Sequence, residues 1–234
     1  LDLNGKVLSS DKSTLRLLNS DTTKVSTMTI KNGVLVAAAE DSSQHMIAMM
    51  NHGGLVMENV KAYCGAYYEN GEIVVNTAEV NKTSGGVSAV AMICGDAPAS
   101  FIDCELVTYG NYNVLNTNNT NTALPKAQIS IKNTVLRNYF VKQLIGCADK
   151  RPYTVKFLDE NCTLITKNSS GDLFASLIGN VQHFAGHTGF EKTAVKEGST
   201  TYYHYTYPDI DFVVSETGGQ GQVTFDGMTY AQVG

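Results

Sequence analysis

The stretch MTIKNGVLV, residues 28–36, decides the fold because its pattern returns along the chain. LVMENVKAY at 55–63 and ISIKNTVLR at 129–137 keep the order apolar, any, apolar, any, Asn, and then an apolar run. LDLNGKVLS at 1–9, ASFIDCELV at 99–107 and VKFLDENCT at 155–163 belong to the same alignment. One of its columns holds Gly5, Asn32, Asn59, Asp103, Asn133 and Asp159. These residue types enter left-handed backbone at least cost, so the column predicts a recurring sharp bend with positive φ. Two and four residues earlier every copy is apolar, the alternation of a strand with one buried face. Three residues after the bend stand Leu8, Leu35, Ala62, Leu106, Leu136 and Cys162. A second buried strand therefore follows at once, and the chain turns a corner instead of pairing back as a hairpin.

Bends at positions 5, 32, 59, 103, 133 and 159 give intervals of 27, 27, 44, 30 and 26 residues. A period near 27 filled with short strands is one coil of a parallel β-solenoid, each strand pairing with its copy roughly 4.8 Å away. The long interval predicts an insertion at about 64–86, around YYENGEIVVNTAEVNKTSGG. Apolar segments also recur between bends, near 46–51, 88–95, 112–117, 141–148 and 175–180, and predict a third strand in each coil. The fold class expected is all-β: a parallel β-helix over residues 1–180 with three short strands in each of about six or seven coils. Residues 181–234 lose the pattern and read as an irregular segment. VTFDGMTYAQV restores the spacing once and predicts a final coil or cap at 222–234. A leucine-rich repeat shares the period and the Asn, but its Leu skeleton is missing here. An open coil exposes core and strand edges, and no cap is visible before Leu1, so the natural chain is expected to continue upstream.

Composition narrows the function classes. The net charge is −5 without long runs of one sign, which argues against a nucleic-acid groove or an anionic membrane surface as partner. No apolar stretch approaches the roughly 20 residues of a membrane span. Cys64, Cys94, Cys104, Cys147 and Cys162 form no C-x-x-C pair and read as small core residues. His183 and His187 have the spacing of metal ligands on a helix, but Gly186 and Gly189 oppose a helix there, so they read as surface histidines. No cofactor or metal is expected.

LDLNG at 1–5 and TIKNG at 29–33 resemble the coil starts of the pectin-lyase-like superfamily of right-handed parallel β-helices, in particular its exported bacterial branch. The resemblance spans about residues 1–181 and implies a right-handed coil and a place outside the cell. Members include polysaccharide lyases, glycoside hydrolases, phage tailspikes and adhesins, so the fold does not choose the activity. The hydrolase branch carries N-T-D, an Asp-Asp pair, G-H-G and R-I-K. Here Asn116-Thr117-Asn118 replaces the acid, His52-Gly53-Gly54 follows Asn51, and neither Asp-Asp nor Arg-Ile-Lys occurs. Hydrolysis of a glycosidic bond ordinarily needs two carboxyl groups about 5–10 Å apart. The lyase branch uses an Arg or Lys base and a calcium-held uronate. The outward positions before the bends, Lys31, Glu58, Ile102, Lys132 and Leu158, offer one carboxylate, and Arg151-Pro152 lacks the fuller R-x-P-x-x-R. No catalytic residue is assigned.

Tyrosines carry the positive signal. Tyr63, Tyr67, Tyr68, Tyr109, Tyr112 and Tyr139 all follow the bend strands, and Tyr109 and Tyr139 share a column on neighbouring coils. Rings along a solenoid edge can stack on sugars, with Glu69, Glu72 and Arg137 as polar partners. They can equally extend the packing of the coil itself. The function expected is an exported cell-surface module that binds a polysaccharide or surface glycan, adhesin-like and non-catalytic. A lyase or hydrolase with a non-standard site, and a passive stalk, are the alternatives.

Overall fold

The computed structural model describes residues 1–11, 15–17, 24, 26–38, 46–49, 53–80, 89–93, 98–110, 112–117, 127–140, 143–146, 153–175, 177–209, 213–217, 220–225 and 228–231. The fold is a parallel β-solenoid. Before the bends, Ser26–Ala37, Gly53–Cys64, Ala99–Ile102, Ala127–Lys132 and Tyr153–Phe157 stack in parallel. After them, Val7–Ser10, the second halves of the two long strands, Glu105–Thr108, Val135–Asn138 and Thr163–Thr166 form the next face. Leu15–Leu17, Ile47–Met49, Ala91–Ile93, Leu115–Asn116 and Ile145–Gly146 make the third.

The register places Ile30, Met57, Phe101, Ile131 and Phe157 in one column, all buried, as the sequence alignment requires. Leu35, Ala62, Leu106, Leu136 and Leu164 fill the column of the second face. Burying an aliphatic or aromatic side chain of this size contributes about 1.5–3 kcal/mol, which makes the stack of layers one continuous core. The solenoid has about four complete turns, fewer than the six or seven expected. A partial layer stands at each end. The strand before the first bend is reduced to the Asp2–Lys31 bridge, and the last third-face strand to the Ile145–Phe174 bridge.

The bends at Asn32, Asn59, Asp103 and Asn133 have φ of 56°, 54°, 54° and 42°. The end corners differ from the inner ones. In the first layer Asn4 and Gly5 both have positive φ, and pairing Asp2 with Lys31 and Leu8 with Leu35 leaves that corner two residues longer. Asp159, expected in a positive-φ bend, is not one of the positive-φ residues, and Leu164 instead of Cys162 stands opposite Leu136. An inner corner is gripped by a copy on each side, whereas an end corner has one parallel neighbour and need not match its length.

The long interval holds a two-stranded arm, Ala66–Glu69 paired with Glu72–Val75, closed by Asn70 and Gly71 at φ 51° and 89°. Two positive-φ residues in a two-residue loop are what a tight hairpin demands. One helical turn, Thr77–Val80, follows; residues 81–86 of the predicted insertion lie outside the described residues.

The segment read as irregular contains a second hairpin. Glu191–Glu197 pairs antiparallel with Thr200–Thr206, and that strand pairs antiparallel with Thr163–Thr166. It closes the sheet's end by reversing strand direction. Tyr205 lies opposite Leu164 and, with Tyr207, joins the core. Phe157 meets Phe190 at 5.0 Å and Tyr207 at 6.2 Å between ring centroids, so aromatic rings plug the last coil. His187, read from sequence as a surface residue, is buried 4.4 Å from the Tyr207 ring, and His183 Nδ1 lies 2.9 Å from the Tyr207 hydroxyl. Farther on, Gln220–Phe225 pairs antiparallel with Met228–Ala231, so Val223 faces Tyr230 across a hairpin instead of entering a further parallel coil.

Candidate functional site

Alternate residues of the second face point away from the core. Lys61 aligns with Glu105, and Tyr63 with Val107, Arg137, Ile165 and His204. One step past the strand ends, the Tyr109 N–H donates to Cys64 O at 2.9 Å and the Tyr139 N–H to Thr108 O at 3.0 Å. Those two bonds set the tyrosines in successive layers, and their rings stack at 4.6 Å with 22° between planes. The sequence column of Tyr109 and Tyr139 thus becomes a physical stack. The layer before them supplies Gly65, where an added Cβ would lie 3.4 Å from Tyr109 Cβ.

The capping hairpin completes this edge. Tyr202 meets Tyr139 edge-on at 5.5 Å, and the Arg137 guanidinium lies 4.3 Å from the Tyr139 centroid and 5.1 Å from that of Tyr202. A cation against aromatic faces gains from the ring quadrupole. Arg137 Nη2 also donates to Glu197 Oε2, and His204 Nε2 lies 3.8 Å from Glu197 Oε1. Glu105 lies 3.6 Å from Lys61 and accepts a hydrogen bond from Tyr63. The two carboxylates beside the tyrosine stack, Glu105 and Glu197, are therefore engaged by cations.

Burial pushes the Tyr109 hydroxyl up to about 12, with the neighbouring Tyr139 adding to the shift and Arg137 opposing it. Tyr63 is pushed higher still, first by burial and then by the Glu105 charge. Both phenols keep their protons at neutral pH and act as hydrogen-bonding groups, not bases. The buried Cys104 and Cys162 thiols rise to about 11 and about 12, again mainly through burial, which removes them as nucleophiles.

The structure divides the predicted residues. Tyr63, Tyr109, Arg137 and Tyr139 come together on one edge. Tyr67, Tyr68 and Glu69 lie on the arm, beside Ser9, Ser10 and Asp11 of the first layer. Tyr112 stands apart as a brace: its hydroxyl accepts from Asn116 Nδ2 at 2.9 Å and its carbonyl from Asn138 Nδ2 at 2.7 Å. Sequence reading missed Glu105, Glu197, Tyr202 and His204. Glu105 stands two residues past the bend in the ASFIDCELV copy, where the repeat could have placed it. The Thr- and Tyr-rich TTYYHYT signals the strand of Tyr202 and His204, but nothing in a 27-residue period says that the hairpin it forms with the strand of Glu197 docks beside Arg137.

From Asn32 onward the bend column carries only amides and carboxylates. Asn59 Nδ2 donates to Asn32 Oδ1 at 3.1 Å, Asn32 Nδ2 donates to Asp2 Oδ1 at 3.2 Å, and Asn133 Nδ2 donates to Asp103 Oδ1 at 2.7 Å. Gly33 is obligatory there, since an added Cβ would meet Leu3 Cβ at 2.5 Å and Lys6 O at 2.6 Å.

Among the described residues no group of three His, Cys, Asp or Glu side chains is placed to hold a metal ion, and no helix is long and apolar enough to cross a membrane. Comparison of the chain with protein families, curated proteins and solved structures finds no match. The class of protein is defined by the coil alone: a parallel β-solenoid.

Proposed function

We propose that this chain is an exported, surface-displayed solenoid module that binds carbohydrate along the edge carrying Tyr63, Tyr109, Arg137 and Tyr139. The observation that carries the reading is the half-buried Tyr109–Tyr139 stack at the coil edge, with the half-buried Arg137 beside it and the buried Tyr202 packed against it. Aromatic surface next to fixed polar groups is what a sugar ring requires, apolar faces for its C–H bonds and donors or acceptors for its hydroxyls. The ion pairs Lys61–Glu105 and Arg137–Glu197 favour binding over hydrolysis, because the two carboxylates beside the stack already have cationic partners. Export and the pectin-lyase-like kinship rest on the LDLNG and TIKNG resemblance.

A passive stalk is the second reading, favoured by the way Arg137, Tyr139 and Tyr202 fasten the capping hairpin to the coil. A glycan-array screen, run beside assays for new reducing ends and unsaturated products on the same polysaccharides, separates the readings. Binding without product, weakened by Tyr109→Ala and Tyr139→Ala, is the expected result. Product formation makes the chain an enzyme, and silence in all assays leaves the stalk.

A further inference from the structure

We propose that the groove between the arm and the first coil is a subsite for an uncharged or amine-bearing sugar, at one end of the same edge as the tyrosine stack. This inference rests on the carbohydrate-binding reading and adds a ligand class to it.

Stacking coils requires no arm, and insertions in repeat proteins gather on one face, often the binding face. Here the arm leaves the coil at Gly65, whose φ of +83° turns the chain out of its layer. Its base is fastened by the Asn76 N–H to Gly65 O at 2.9 Å and by Asn76 Nδ2 to Ala38 O at 2.9 Å. The arm and the first layer then enclose a groove of about 390 Å³ lined by Ser9, Ser10, Asp11, Tyr67, Tyr68 and Glu69. Tyr68 keeps 39% of its surface exposed, unusual for so large a ring among the described residues. The register runs Ser10, Ala37, Cys64, Thr108, Asn138 through successive layers, so groove and tyrosine stack share one edge at about 4.8 Å per layer.

Charge chooses among sugars. Asp11 and Glu69 line the groove, Glu72 lies directly across the hairpin from Glu69, and the described lining holds no Lys or Arg. A uronate would face like charge. An ammonium group would be attracted, and neutral hydroxyls find carboxylate and serine acceptors.

The test titrates the whole protein, by calorimetry at low and at physiological salt, with equal-length oligomers of glucosamine, N-acetylglucosamine and galacturonate. Binding of the first or second but not the third is expected. Tyr68→Ala should weaken it roughly three- to tenfold, with Tyr68→Phe close to wild type. Asp11→Asn with Glu69→Gln should weaken the glucosamine oligomer roughly tenfold and spare the N-acetylated one. These side chains are exposed, so melting temperatures of the variants should match wild type and exclude misfolding as the cause. Preferred binding of galacturonate overturns the inference. So does glycan binding that Tyr109→Ala abolishes while Tyr68→Ala and the double carboxylate variant leave it intact, an outcome that keeps the carbohydrate-binding reading. Failure of all three oligomers, and of a full glycan array, overturns both.

Discussion

At the bend edge Asp2, Asn32 and Asn59 hand one hydrogen-bonding pattern from layer to layer, whereas at the edge after the second strand the layers present Gly65, Tyr109, Tyr139 and Lys167. Both edges belong to the same coils and have the same spacing. Their difference lies in what the stack demands. A positive-φ corner must be met by Gly, Asn or Asp in each inner layer, and amides stacked at one layer spacing lie within hydrogen-bonding reach of the next. The second edge carries no such demand, so its chemistry is free to vary from coil to coil. Repetition marks where the fold is enforced, and departure from it marks where another role can be placed.

The comparison breaks first at Gly33. Gly33→Ala drives a Cβ into Leu3 and the Lys6 carbonyl and should cost about 2–3 kcal/mol in urea unfolding. Its effect on glycan affinity should be slight, since the folded fraction still carries an intact tyrosine edge.

Asn133→Ala comes next. It removes the 2.7 Å bond to Asp103 and leaves Ala at φ 42°, for a loss of about 1–2 kcal/mol. Tyr139→Ala, by contrast, should lose glycan binding together with about 1–3 kcal/mol of stability, the worth of its two aromatic pairs before the buried area of the ring is counted. Equal loss of binding in both variants would erase the distinction between the edges.

A gain is expected at Asp103→Asn. Asp103 follows Asn59 in the stack but has no donor to offer it, so the ladder stops between these layers. An amide at 103 supplies that donor and still accepts from Asn133. Denaturant midpoints should rise by the equivalent of about 0.5–1 kcal/mol.

The smallest effect separates the edges by pH. Burial, followed by Arg137, holds His204 below its ordinary value of 6.5. The unfolded chain then takes up the proton first, so stability is complete above about 6.5 and falls as pH drops below it. Asp2 is held below 3.8, chiefly by the Asn4 N–H and then by Asn32, so its contribution is present above that value and fades only as pH falls past it. Unfolding measured from pH 7 to 5 should therefore decline, less steeply in His204→Gln, while Asp2→Asn leaves the slope in that window unchanged.

How much was legible follows from the same contrast. The inner bends, the register of Ile30, Met57, Phe101, Ile131 and Phe157, and the neighbouring of Tyr109 and Tyr139 could be read because layers copy one another. The corners at Gly5 and Asp159 could not, since an end layer has one parallel neighbour and its length is unconstrained. The capping hairpin escaped because its strands run antiparallel to the coil and share no period with it. Glu197 meets Arg137 from 60 residues away, a pairing set by how the hairpin docks and not by any local motif. Hence half of the tyrosine edge was visible in sequence, and the half contributed by Glu197, Tyr202 and His204 was not.

The most direct test uses the 12 tyrosines as reporters. Ring-labelled tyrosine NMR, titrated with a glycan selected on the array, should move the resonances of Tyr109 and Tyr139 while the buried Tyr153, Tyr205 and Tyr207 stay in place. Shifts confined to the buried tyrosines, or no shift with any glycan, would contradict the assignment of this edge as a carbohydrate-binding surface.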